Sequence, residues 1–329
     1  MNQADQFLLS TSLIYLGVDI LAVWGLNLQF GICGILSFAF ILFQAIGAYL
    51  GAVFTLGPDT ANGAFQTYTL GLHLPFIVAV IAAALSGAAL ALPMGFVVLR
   101  KLRADYQAIA LLVISIIASV GVITDTGLFN GSAGISLIPR PLPNRFSLIG
   151  WQWFYVGLVG AICLLVYVFV VRRITGSPLG RSLRAIRENE QAAAALGTPV
   201  FRLKLFVLSV GGGIGALSGA LLGPFITTWA PSMWLFPETF VLLGAIIIGG
   251  RGNDFGAALG ALVFPVLIVE GSTFLPQFGP LGLTAALQWV VVGLLILLFL
   301  WFRPQGIVPE RRRRFRQSVD ADDREGIAG

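Results

Sequence analysis

Charged residues are scarce in this chain of 329 residues: Asp, Glu, Lys and Arg make up 11% of it, while hydrophobic residues make up 57%. A soluble globular protein carries about a quarter charged residues, and one core could not enclose this much apolar surface. Apolar runs of about 18 or more residues indicate transmembrane helices, and the chain contains several. They are too long and continuous for the alternating segments of a β-barrel. The sequence therefore predicts an all-α polytopic membrane protein.

The residues from which most catalytic and metal sites are built are also nearly missing. His73 is the one histidine, and Cys33 and Cys163 lie far apart in apolar runs without metal-ligand spacing. A phosphate-binding Gly-x-x-x-x-Gly-Lys-Ser/Thr motif is absent, since the only lysines, Lys101 and Lys204, do not follow glycine. We therefore expect no enzymatic activity and no catalytic residues, metal or cofactor in this chain.

Hydrophobic segments predict about nine membrane spans, within a range of 8–10. The seventh and eighth are short, and at about 1.5 Å per residue neither crosses a bilayer alone unless the bilayer is thinned or the segment is a half-helix. The predicted spans are 7–26, 34–56, 73–99, 106–124, 152–171, 204–228, 238–249, 256–270 and 281–302.

Lys and Arg predict the orientation, because loops rich in these residues stay in the cytoplasm. If the loop with Arg100, Lys101 and Arg103 is cytoplasmic, then 18 of the 20 basic residues lie on that side, and only Arg140 and Arg145 lie outside. This arrangement places the N-terminus outside and the C-terminus in the cytoplasm. The expected location of this multi-pass protein is a bacterial plasma (inner) membrane.

The chain is predicted to form a single transmembrane domain, 1–308, followed by a charged cytoplasmic tail, 309–329. Two polar segments interrupt the domain. The segment 125–150 is rich in Gly, Pro, Ser and Asn and predicts an irregular, ordered external loop. The segment 176–199 is charged and helical in character.

Glycine recurs at four-residue spacing in two places, which gives each helix a smooth face for close packing. This face could meet another helix of the same subunit or a partner subunit. The residues are Gly211, Gly215, Gly219 and Gly223, and then Gly252, Gly256 and Gly260.

Polar and glycine residues break two hydrophobic runs, at 27–34 and 249–256. Interrupted helices in corresponding places mark the translocation path of many transporters, although 249–256 could equally be a tight turn. Asp19 lies inside the first apolar run, where a carboxylate is a functional candidate or a structural partner of nearby polar groups. The residues predicted to line a substrate path are Asp19, Asn27, Gln29, Gly31, Gly34, Ser37 and Phe38.

The segment 176–199 has the end signals of a single helix over 178–196. Ser177 is a suitable N-cap, Pro178 suits the first helical position, and Gly197 suits the C-terminal stop. Glu190 lies on the apolar face, which favours a surface that meets another protein over a solvated loop. Arg181, Arg184, Arg187, Glu188 and Glu190 are the predicted docking surface.

Several motifs resemble those of LivM-type permeases, the membrane subunits of ABC importers for branched-chain amino acids. The run 180–190, GRSLRAIRENE, followed by Ala192, Ala193 and Gly197, is similar to their cytoplasmic motif. The similarity continues in order from about residue 20 to 308, with one departure at 37–40, where this chain has SFAF and the family usually carries Gly-His-Ala. The other similar stretches are NLQFGICGILSF (27–38), AIGAY (45–49), NGSAGISLIPRP (130–141), GGRGNDFGAALGA (249–261) and FRPQGI (302–307).

The resemblance implies that 1–308 is a permease domain and that 176–199 couples it to an ATPase. Gln191-Ala192-Ala193 with Gly197 matches the spacing of the EAA loop, with glutamine in place of glutamate. The implied partners are a homologous permease of the LivH type, two ATPase subunits that carry ATP and Mg²⁺, and an extracytoplasmic substrate-binding protein. The implied ATPase-coupling residues are Gly180, Arg181, Arg184, Ile186, Arg187, Glu188, Asn189, Glu190, Ala193 and Gly197.

The expected function is a permease subunit for Leu, Ile, Val or similar amino acids. Two alternatives stay open at this point: an ABC permease for urea or short amides, and an autonomous transporter coupled to H⁺ through Asp19.

Overall fold

The chain is mostly helical in this computed structural model, which describes residues 3–58, 66–142, 145–235, 237–270, 283–303 and 305–310. π-Helical residues extend α1 (Asn27–Ile32), α6 (Tyr167–Val171) and α12 (Leu262–Glu270). The α-helices are α1 (Gln3–Leu26), α2 (Phe40–Thr55), α3 (Phe76–Lys101), α4 (Ala104–Thr124), α5 (Thr126–Phe129), α6 (Leu148–Val166), α7 (Arg172–Gly176), α8 (Pro178–Glu188), α9 (Glu190–Ala195), α10 (Val200–Ile226), α11 (Pro237–Gly249), α12 (Asp254–Ala261) and α13 (Leu283–Phe302).

Among the described residues, six helical stretches are long and apolar enough to cross a membrane, and three further apolar helices are shorter. Each of the nine predicted spans overlaps one of these nine stretches, so the predicted fold class is confirmed. The long stretches are Asp5–Ile32, Phe76–Lys101, Asp105–Thr124, Leu148–Gly176, Val200–Ile226 and Pro231–Gly249, and the shorter ones are Phe40–Thr55, Asp254–Leu267 and Ala286–Phe302.

Helix α10 is the centre of the bundle and packs against α1, α2 and α3. Its glycine stripe faces α1 and α2 of the same chain. A Cβ atom on Gly219 would overlap the carbonyl oxygen of Gln44, and one on Gly211 would stand 2.6 Å from the carbonyl oxygen of Gly25. Backbones can approach this closely only where the side chain is a hydrogen atom. The stripe is therefore an intrachain packing surface.

Helix α2 starts inside the bundle. Phe43, in its first turn, packs on Gly212, near the middle of the 27-residue α10. With 16 residues α2 is about 24 Å long, less than the roughly 30 Å of a bilayer's hydrocarbon core. The predicted span 34–56 is therefore helical only from Phe40 onward, and residues 34–38 lie in the bundle as non-helical backbone.

Helix α11 is the second short helix, with 13 residues, and its first turn meets the start of α2. The hydroxyl oxygen of Thr239 accepts a hydrogen bond from the backbone N–H of Ile41 at 3.3 Å. The rings of Phe38 and Phe240 lie 5.3 Å apart at the same place. Two short helices thus have their N-terminal ends together within the bundle.

The described residues of the predicted external loop 125–150 form short elements of their own. It contains α5, a 3-10 turn (Gly131–Ala133) and β1 (Ile135–Ser136), which pairs antiparallel with β2 (Thr228–Trp229). The side chain of Gln66 bonds both to the N–H of Ser136, at 2.8 Å, and to its carbonyl oxygen, at 2.9 Å. These contacts close the end of the bundle opposite to α8.

Candidate functional site

The charged segment 176–199 folds as two helices, and the prediction of one helix over 178–196 is wrong. Asn189 has extended backbone angles (φ −154°, ψ 104°) and separates α8 from α9. Its side-chain oxygen accepts from the N–H of Ala192 at 2.9 Å, which makes Asn189 the N-cap of α9. The signal in the sequence is an asparagine directly before Glu190, a typical helix start, which the alanine-rich surroundings obscured.

The two ends of the segment differ in how well the sequence predicted them. Ser177 precedes Pro178 as expected, but its hydroxyl donates to the carbonyl of Ile174 at 2.9 Å and does not cap α8. Gly197 has a φ of +83°, the N–H of Thr198 bonds to Ala193 O at 3.1 Å, and the N–H of Gly197 bonds to Ala194 O at 2.9 Å. This pair of bonds is a Schellman motif, so Gly197 ends α9 as predicted.

One face of the α8–α9 pair is buried against the bundle. Its members are small or aliphatic, and burial of the two aliphatic side chains stabilises the docking of α8 by about 1.5–3 kcal/mol each. The buried residues are Gly180, Leu183, Ile186 and Ala193.

The charged ends of Arg184 and Arg187 turn toward the chain itself. Arg184 Nε lies 2.6 Å from Glu310 Oε1, and Arg187 Nη2 lies 2.7 Å from Glu310 Oε2. Arg187 also donates through Nη1 to the carbonyl oxygen of Gly31, and its side chain is 15% exposed. The prediction that these two arginines present their charges on an outer docking surface is therefore corrected: they fasten α8 to the rest of the helix bundle.

Asp254 joins the two predicted helix interruptions. Its carboxylate accepts from Thr175 Oγ1 at 2.8 Å and from Asn27 Nδ2 at 3.4 Å, and the side-chain oxygen of Asn27 accepts from the N–H of Gly252 at 3.1 Å. The interruption 249–256 is thus a turn between α11 and α12 that is bonded to the π-helical end of α1.

We call this set of contacting groups the polar junction. It brings together the end of α1, the α7–α8 connection, the α11–α12 turn and the residues after α13, which are far apart in sequence. The polar junction consists of Asn27, Gly31, Thr175, Arg184, Arg187, Gly252, Asp254 and Glu310.

Glu190 also has its partner within the chain. Its Oε2 atom lies 2.5 Å from Nζ of Lys204, whose side chain is 5% exposed. The sequence-based argument that Glu190 must be covered by another protein is therefore wrong, because α10 supplies the opposite charge. The relevant signal, a lone lysine in the first turns of an apolar helix, was present at Lys204.

The outer face of α8 and α9 is left uncovered, and it differs in character from the predicted surface. Leu196 is 86% exposed and is not among the residues predicted for this surface. Arg181 and Glu188 are exposed as predicted. We define the outer face as Arg181, Ala185, Glu188, Gln191, Ala192, Ala195 and Leu196.

The predicted path residues separate into two groups. Asn27 and Gly31 belong to the polar junction, and Gly34 packs beside it, because the side chain of Arg187 lies 3.0 Å from the position of a Cβ on Gly34. Asp19 lies half-buried in α1. That these four line a path stays a prediction.

The second group, Gln29, Ser37 and Phe38, lies between the end of α1 and the start of α2. Gln29 and Ser37 are both fully buried. Gln29 donates to the carbonyl of Leu208 at 3.1 Å, but its Oε1 atom and the hydroxyl of Ser37 lack a hydrogen-bond partner within the described part of the chain. Phe38 is half-buried against Phe240. Buried polar atoms without partners are uncommon and point to a ligand, water or partner that completes them.

Metal ligation finds no support in the described segments, which contain no group of three or more His, Cys, Asp or Glu side chains able to hold an ion. The fold is that of a polytopic, all-helical membrane protein.

Comparison with known proteins gives the family. Residues 8–300 match the family described as branched-chain amino acid transport system / permease component, and the chain belongs to that family. It is an ABC transporter permease and a multi-pass inner-membrane protein. Permeases of this class work with ATPase subunits and a substrate-binding protein.

Relatives of this chain are similar over most of its length. The probable branched-chain amino acid transport permease LivM of Methanocaldococcus jannaschii is 28% identical over 92% of this chain and 94% of its own length. The high-affinity branched-chain amino acid permease LivM of Salmonella typhimurium is 30% identical over 89% of this chain and 68% of its own length. The L-arabinose permease AraH of Escherichia coli is 26% identical over 62% of this chain and 58% of its own length. No solved structure matches the chain. Neither the urea or amide alternative nor the secondary transporter is favoured by these relatives.

Proposed function

We propose that this chain carries branched-chain amino acids, leucine, isoleucine and valine or similar ones, as one of two homologous permeases in an ABC importer. The names of the relatives that cover about nine-tenths of the chain support this substrate class. The partner permease is of the LivH type, an extracytoplasmic binding protein delivers the amino acid, and ATP with Mg²⁺ is bound by two ATPase subunits. The N-terminus lies outside and the C-terminus in the cytoplasm, as the Lys and Arg distribution favours.

The outer face of α8 and α9 is the proposed docking site for an ATPase subunit. The observation that carries this proposal is the contrast between its two faces. Arg184, Arg187 and Glu190 fasten the helices inward, while Leu196, which follows the exposed Ala195, is 86% exposed. A helix pair that is fixed to the body and presents an apolar anchor suits a partner protein more than solvent.

The proposed substrate path passes the place where α2 and α11 begin. Ser37 offers a buried hydroxyl there that has no hydrogen-bond partner among the described residues, and Phe38 with Phe240 offers an apolar surface. A zwitterion with an aliphatic side chain needs both kinds of contact. Non-helical backbone at this depth is tolerated only where protein or a water-filled cavity covers it, which supports a path or the partner permease at this face.

The test is uptake of radiolabelled leucine into proteoliposomes that contain this chain, the homologous permease, both ATPase subunits and the binding protein. We expect uptake that requires ATP and the binding protein and is competed by isoleucine and valine. If this chain alone takes up leucine, and if that uptake stops when the proton gradient is dissipated, the proposal is contradicted and coupling through Asp19 is favoured. Competition by urea but not by valine would leave the ABC class intact and reject the substrate.

A further inference from the structure

The residues after α13 fold back over the turn between α11 and α12. The N–H of Ile307 donates to Ile248 O at 2.7 Å, and the N–H of Val308 donates to Gly249 O at 3.0 Å. Asn253 donates its side-chain amide to the carbonyl of Val308 at 3.4 Å. We call residues 306–310 the strap.

Two glycines in left-handed or related backbone conformations make this close approach possible. Gly306 has a φ of +74° and Gly250 a φ of +129°, and a Cβ on Gly306 would stand 2.6 Å from the backbone nitrogen of Gly250. A side chain at either position would be strained and would separate the strap from the turn. The strap is therefore a defined part of the fold.

Glu310 is the last residue of the strap, and its carboxylate bridges two arginines of α8. One oxygen lies 2.6 Å from Arg184 Nε and the other 2.7 Å from Arg187 Nη2, and the glutamate side chain is 22% exposed. Arg184 and Arg187 are three residues apart on one helix, where like charges repel each other. Glu310 neutralises this repulsion and joins both guanidinium groups to one point.

Each arginine also reaches a different neighbour. Arg187 donates to the carbonyl of Gly31 at the end of α1, and Arg184 Nη1 donates to the carbonyl of Thr175 at 3.1 Å. Thr175 in turn donates to Asp254 at the start of α12. A rotation of α8 about its own axis would break both bonds to Glu310, whereas movement of α8 together with α1, α12 and the strap would keep them.

We propose that Glu310 is a positioning residue that locks α8 to the ends of α1, α11 and α12, so that a displacement of α8 is passed to these helices. The inference rests on the proposed docking of an ATPase subunit on the outer face. Without Glu310 the two arginines repel, α8 gains rotational freedom, and ATP hydrolysis no longer moves the helices that carry the path.

The experiment compares Glu310→Gln with the wild type in the complete importer, reconstituted in proteoliposomes. The matched control is Asp105→Asn, which removes one negative charge from an exposed position at the start of α4. Three quantities are measured: co-purification of the ATPase subunits, basal ATP hydrolysis, and leucine transported per ATP hydrolysed. The last ratio does not change when a variant merely yields less folded protein, because both of its components then fall together.

We expect Glu310→Gln to assemble and hydrolyse ATP like the wild type, while leucine transported per ATP falls roughly tenfold, as for the loss of one charged hydrogen bond. Asp105→Asn should match the wild type. A wild-type ratio in Glu310→Gln would overturn the proposal. Loss of ATPase co-purification would overturn it as well, since Glu310 would then belong to the docking surface.

A double-mutant cycle with Arg184→Gln tests whether the two residues act together. If Glu310 acts through Arg184, the double variant is no worse than the more severe single variant, whereas additive losses would overturn the proposal. The proposed docking of the ATPase on the outer face is tested separately. If the Leu196→Glu variant still binds the ATPase subunits, that docking role fails. If Leu196→Glu loses ATPase binding while Glu310→Gln transports as much leucine per ATP as the wild type, only the positioning role of Glu310 is rejected.

Discussion

Lys204 Nζ lies 2.5 Å from Glu190 Oε2, and this ion pair joins α9 to the first turns of α10. The lysine side chain is 5% exposed and the glutamate side chain 44% exposed, so the lysine is buried while the glutamate is partly in contact with solvent. The loss of stability when the glutamate is replaced therefore comes mainly from the buried lysine charge that is left without its partner.

Glu190→Gln is expected to lower the stability of the protein by about 1–3 kcal/mol, because Lys204 stays buried without its opposite charge. Thermal unfolding of the purified protein in detergent measures the change. The double variant with Lys204→Met, which removes the buried charge as well, should recover most of the loss. Glu188→Gln, at an exposed position two residues earlier, is the control, and an equal loss there would refute the explanation.

Leu196→Ala is expected to weaken binding of the ATPase subunits by about tenfold or more, since burial of a leucine side chain contributes about 1.5–3 kcal/mol. Leu196→Glu should abolish co-purification, and the permease itself should fold normally because this side chain is 86% exposed. Leu137→Glu is the matched control, at a 67% exposed leucine beside β1. Wild-type ATPase binding by Leu196→Glu would exclude the outer face as the docking site.

Gly219→Ala is expected to destabilise the bundle by about 1–3 kcal/mol or more, because the new Cβ overlaps the carbonyl of Gln44 and forces α2 away from α10. Gly157→Ala in α6 is the matched control, since no atom lies within 4 Å of its Cβ position. It should be neutral or slightly stabilising, as Ala is the better helix former. Thermal unfolding of the two variants provides the comparison, and similar losses in both would contradict the packing role.

Ser37→Ala is expected to leave thermal stability unchanged, because the buried hydroxyl gives up no hydrogen bond within the described residues. If Ser37 lines the path, the KM for leucine uptake should rise. Ser218→Ala removes an equally buried hydroxyl that donates to Gly215 O at 2.7 Å, so it should cost about 1 kcal/mol of stability. Unchanged uptake by Ser37→Ala would remove this residue from the path.

Much of the fold could be predicted from the sequence because the decisive signal is local. Each apolar run reports its own tendency to enter the bilayer, and all nine predicted spans overlap apolar helices. The left-handed stop at Gly197 depends on its own neighbours and was likewise predictable. The break at Asn189 was missed because an asparagine cap and an asparagine in a helix differ only in backbone conformation.

The polar junction could not be predicted, because its contacts cross long stretches of sequence. Arg184 and Glu310 are 126 residues apart, and the sequence does not indicate which carboxylate meets which arginine. The same limit explains why Arg187 was assigned to an outer surface. An amphipathic pattern identifies two faces of a helix but does not identify the neighbour that each face meets.

The bond between Gly252 and Asn27, 225 residues apart, has a consequence for the order in which the chain can be completed. A ribosome delivers α1 first, so the buried amide of Asn27 waits for its partners until α11 and the following turn have been made. Arg187 arrives in between, and Glu310 comes still later. Helices α8 and α9 therefore reach their final positions only when synthesis has passed Glu310, and in a shorter nascent chain α8 is not yet held by that carboxylate.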